Sequence, residues 1–154
     1  MPLVTSLVEN LVPTQKGGFF DTEINAKALK DFCFLVSQSQ MGYSMNIKHV
    51  TLFNSTNSFI ADCTVIGATD KDKIAKVPKE VLHREDKAFV AVVLYAGEKL
   101  EDVFLFPVTD LKTKHGLLSL YKDLKKEECF GIKIKKKNKL PNFKFGVVLQ
   151  EYVK

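Results

Sequence analysis

The chain has 154 residues, 45% of them hydrophobic and 27% charged, with a formal net charge of +5. That balance predicts one globular domain, 1–154, large enough to bury a core, and it excludes global disorder. The longest apolar run, Ala88–Ala96, falls far short of the roughly 20 residues that a bilayer-spanning helix needs.

Residues 1–20 read as an irregular N-terminal segment. Met1–Val12 has apolar character but no basic stretch before it, and Glu9 and Asn10 interrupt it. A secretory leader is therefore not expected, and the predicted location is cytoplasmic, with no membrane association. After Gly17-Gly18, Asp21 is the expected N-cap of a first helix, and Glu23 suits its positive end. Ile24, Ala28, Phe32, Leu35 and Val36 recur at helical spacing, and Gly42 is the expected stop.

Met45–Phe53 and Ser58–Ile66 read as two strands. The turn composition of Asn54-Ser55-Thr56-Asn57 between them predicts an antiparallel hairpin. Thr69-Asp70-Lys71-Asp72 then reads as the entry to a second helix carrying Ile74, Val77, Val81 and Leu82 on one side, kinked or begun near Pro78.

Ala88–Tyr95 is apolar almost throughout, the pattern of a strand buried on both faces, placed centrally under covering helices. Val103–Phe106 follows after the seven-residue loop Ala96–Asp102, too short for a crossover, so these strands are expected to pair antiparallel. A third helix is predicted from about Lys114 to Glu127, on the spacing of Leu117, Leu120, Tyr121 and Leu124. Phe130, Ile132 and Ile134 alternate with Gly131, Lys133 and Lys135 as in a half-buried strand. Phe143, Phe145, Val147 and Leu149 read as its return partner, giving a basic C-terminal β-hairpin over 130–151. The expected order is α-β-β-α-β-β-α-β-β. The expected class is α/β in the α+β sense: a mixed, largely antiparallel sheet with helices packed on it.

Charge is distributed unevenly along this order. Lys112–Lys144 contains eleven lysines against three acids, Asp123, Glu127 and Glu128, a balance of +8; with +5 overall, the rest of the chain carries −3. A basic C-terminal third beside a mildly acidic remainder is the footprint of a polyanion-binding surface. Lys133, Lys135, Lys136, Lys137, Lys139 and Lys144 are the candidate phosphate contacts. Lysines supply affinity for phosphates without reading base sequence. The same lysines also suit a solvated edge strand guarded against aggregation.

Other chemistries find less support. Cys33, Cys63 and Cys129 are odd in number and widely spaced, which fits reduced, buried thiols. With His49, His83 and His115 they show no zinc-ligand spacing. No glycine-rich phosphate loop or G-x-S-x-G elbow is present. Asp62 stands inside the otherwise apolar Phe59–Thr64, where an acid is solvated, paired or serves a site. Asp70 and Asp72 are better read as helix caps, and Glu101 and Asp102 as solvated loop acids.

The succession of helix, strand hairpin, helix and apolar strand over Glu23–Pro107 resembles the PD-(D/E)XK nuclease-like superfamily. Gly42-Tyr43-Ser44-Met45-Asn46-Ile47 stands where that family enters its first core strand, often with Gly-x-Asp, and Phe59–Thr64 where it carries an acid-x-lysine signature. Ser44 replaces the first aspartate, and Asp62-Cys63-Thr64 keeps the acid but has Thr in place of the lysine. The resemblance therefore implies a degenerate member that retains the scaffold and a nucleic-acid surface, without implying magnesium binding or phosphodiester cleavage.

The leading expectation is a non-catalytic DNA- or RNA-binding domain that needs no cofactor. One alternative is a small regulatory or inhibitor protein docking on an acidic protein partner through the same lysines. The enzymatic alternative is a metal-dependent nuclease using Asp62 as a catalytic carboxylate with magnesium.

Overall fold

A computed structural model describes residues 22–39, 41–46, 51–54, 59–69, 71, 74–78, 88–113, 118–122, 128–134 and 143–151. Its elements are α1 (Glu23–Gln38), β1 (Tyr43–Asn46), β2 (Thr51–Asn54), β3 (Phe59–Thr69), β4 (Ile74–Pro78), β5 (Ala88–Ala96), β6 (Lys99–Pro107), α2 (Val108–Thr113), β7 (Leu118–Lys122), β8 (Glu128–Lys133) and α3 (Phe145–Glu151).

The strands form a five-stranded sheet, β1-β2-β3-β5-β6, and a three-stranded sheet, β4-β8-β7. Only β3 and β5 run parallel; the other described pairs are antiparallel. The class is thus α+β with a mixed, largely antiparallel sheet, as the sequence predicts. No helix among the described residues is long and apolar enough to cross a membrane.

Helix α1 forms where its periodicity places it, and buries Ala28, Leu29, Phe32 and Val36. Its cap is Thr22 rather than Asp21, which lies outside the described residues: the Thr22 side chain accepts from the Asn25 N–H at 3.3 Å. The chain turns into β1 through Gly42, whose φ of 86° favours glycine. Asn54 secures that turn by donating from Nδ2 to the Met41 carbonyl at 3.0 Å.

Four expectations are corrected. Met45–Phe53 is not one strand; β1 and β2 pair antiparallel within it, Met45 opposite Leu52. Ile74–Pro78 is strand β4, not helix, because Ala75 and Val77 enter the core on one side while Lys76 stays exposed on the other. In place of the helix expected at 114–127, Leu118–Lys122 forms β7, paired with β8. The return strand of the expected 130–151 hairpin is helix α3: Val148 and Leu149 are buried while Val147 is 45% exposed, a helical rather than a two-residue period.

Strand β5 is buried on both faces, yet it lies next to the edge strand β6, and its second cover is the small sheet together with Val108 and Leu111 of α2. Phe89, Ala91, Val93 and Tyr95 pack in a core layer with α1 and α3. Ala88, Val90 and Val92 pack in a second layer with Ala75, Val77, Ile132 and Ile134 of the small sheet. Strand β6 likewise sends Val103 and Leu105 one way, Phe104 and Phe106 the other. The hairpin joining β5 to β6 is tighter than the predicted loop, with Ala96 opposite Lys99 and Gly97 at φ 63°.

The C-terminal segment works on both layers. Phe143 enters the second layer, its ring 5.0 Å from that of Phe106. Lys144 bridges to Phe104 on β6. Val148 and Leu149 enter the first layer, and the Leu149 carbonyl accepts from the Tyr43 hydroxyl at 2.8 Å.

Candidate functional site

The small sheet separates its apolar and basic residues by strand alternation. On β8, Ile132 faces the core, followed by Ile134 just past the strand end, and Lys133 faces the other way, half-buried. On β4, Ala75 and Val77 face the core and Lys76 faces outward. The antiparallel register sets Ile74 opposite Lys133 and Lys76 opposite Gly131. Lys76 and Lys133 are therefore diagonal neighbours on the outer face, a relation that puts Cα atoms about 7–8 Å apart.

Of the basic residues singled out in the sequence, Lys133 lies on this face. Lys135, Lys136, Lys137 and Lys139 lie outside the described residues. Lys144 is elsewhere: it stands beside β6 of the large sheet, its Nζ 3.5 Å from Asp102 Oδ2 in an exposed ion pair, a contact worth about 1 kcal/mol or less. Lys76 was missed because its segment reads as a helix. Treating Ile74–Pro78 as a strand, with Ala75 and Val77 inward, is the signal that finds it.

Asp62 occupies a different surface. It pairs with Thr51 on β2 and with Ala88 on β5, and its side chain is exposed. On the same face, Ser44 lies opposite Phe53, and Phe53 opposite Ile60, which is 60% exposed. Thr64, two residues along β3, is buried. Ser44 and Asp62 thus share a sheet face one register row apart, with Thr64 where the resemblance would place a lysine. Among the described residues no three His, Cys, Asp or Glu side chains group as metal ligands. Among them, too, no buried side-chain nitrogen or oxygen lacks a hydrogen-bond partner. His49, His83 and His115 lie outside the described residues.

The thiols of Cys33 and Cys63 are held in their protonated form. Burial pushes Cys33 up from 9.0 to about 11. Cys63 is raised further, first by burial and then by the neighbouring charges of Cys33 and Asp62. Tyr95 is raised too, by burial and by its hydroxyl donating to Asp31 Oδ2 at 2.6 Å. Lys27 closes the same junction, its Nζ 4.7 Å from the Tyr95 ring centre and donating to the Glu98 carbonyl at 2.8 Å. This cluster fastens α1 to the β5–β6 hairpin.

These three groups hold their protons more tightly when the chain is folded than when it is unfolded. The stability this gives is complete at neutral pH, and for Cys33 it is lost as pH rises from 9.0 through about 11. Urea midpoints are therefore expected to stay flat through neutrality, as far as these groups are concerned, and to fall above about pH 9. In a Cys129→Ser background, native Cys33 and Cys63 should react with a disulfide reagent at pH 8 far more slowly than in urea. Equal rates would contradict this account of the thiols.

Compared with known protein families, with curated proteins and with solved structures, the chain gives no significant match.

Proposed function

We propose that the protein binds nucleic acid, as a polyanion, without catalysis. The observation that carries this reading is the +8 balance of Lys112–Lys144 against −3 for the remainder. Lys133, Lys135, Lys136, Lys137 and Lys139 are the assigned phosphate contacts, supported by the outward placement of Lys133 on β8. Lys144 takes a lesser part, since it is engaged with Asp102. The scaffold we assign is a degenerate PD-(D/E)XK-like one. Its support is the order of α1, the β2–β3 hairpin and apolar β5; strand β4 stands where the resemblance has its second helix, and Ser44 and Thr64 stand at the positions that depart from the motif.

Fluorescence anisotropy with labelled single- and double-stranded DNA and RNA tests the proposal, at two salt concentrations and with and without magnesium. Binding should weaken with salt, by about 0.9 in log–log slope for each phosphate neutralised. A triple Lys135→Glu, Lys136→Glu, Lys137→Glu variant should bind at least about tenfold more weakly at low salt. The probes should emerge intact. Absence of binding at either salt overturns the proposal in favour of an acidic protein partner. Magnesium-dependent cleavage lost in a folded Asp62→Ala variant overturns it in favour of a nuclease.

A further inference from the structure

We draw no further inference here: the strongest candidate, the surface patch that Ser44, Phe53 and Ile60 form on the outer face of the large sheet beside edge strand β1, carries none because nothing in the structure shows what covers it.

Discussion

Gly67→Ala is expected to cost at least about 2 kcal/mol of stability in urea titration, through a backbone clash rather than a lost contact. A Cβ at Gly67 would lie 2.6 Å from the Ile24 carbonyl oxygen and 2.7 Å from the Ile24 side chain. The carbonyl belongs to the first turn of α1, so the helix itself would have to move. The approach is close for a reason visible in the strand pairing. Strand β2 pairs with Phe59–Asp62, the first residues of β3, so the rest of that flank needs other partners. The Gly67 N–H finds one in the buried side chain of Asn25, donating to Oδ1 at 2.8 Å. Asn25→Ala should cost about 1–3 kcal/mol by leaving that donor unpaired. Because both substitutions disturb one junction, the double variant should lose less than the sum. A Gly67→Ala protein as stable as the wild type would mean that α1 is not seated as closely on β3 as these contacts require.

Phe106→Ala should be the most damaging single truncation, at about 3–5 kcal/mol. Its ring is fully buried between the two sheets and lies 6.2 Å from Phe104 and 5.0 Å from Phe143. Removing it leaves a cavity whose walls are strands of both sheets, which cannot collapse together without breaking ladder hydrogen bonds. Phe106→Leu refills most of that volume and should recover more than half of the loss. Chemical denaturation of the pair checks this. Equal stability of the Ala and Leu variants would show that the two sheets do not meet through this ring.

Where the sequence was legible, one period dominated over enough residues to exclude the other. Helix α1 has sixteen residues and a clean apolar stripe. Strand β5 is apolar on both faces, and its partnership with β6 follows from the short connection. The misreadings fall on short segments where both periods fit. Ile74 and Val77 are three apart and suggest a helix, yet Ala75 and Val77 are two apart and decide for a strand. Phe143, Phe145, Val147 and Leu149 alternate as in a strand, but burial of Val148 beside Leu149 requires a helix. Nothing within such a segment settles the choice; the neighbour it packs against does.

The candidate surface was legible as charge and not as geometry. The excess of lysines is plain in the sequence, and Lys133 alternates with apolar neighbours as an outward residue should. The placement of Lys76 beside Lys133 depends on β4 pairing with β8 across more than fifty positions of chain, information that no local window contains. Lys144 was grouped with the others by proximity in sequence, and the fold assigns it to the opposite sheet.

The C-terminal segment also sets a schedule for the nascent chain. Once synthesis has passed β8, every described strand of both sheets has been made, but Phe106 has no Phe143 against it and Tyr43 no carbonyl at Leu149. At that stage the edge strand β6 lacks the bridge from its Phe104 to Lys144, and an edge without such a partner invites pairing with another chain. Residues Phe143–Leu149 then seat in both core layers and end the interval in which the growing chain is most open to capture by its neighbours.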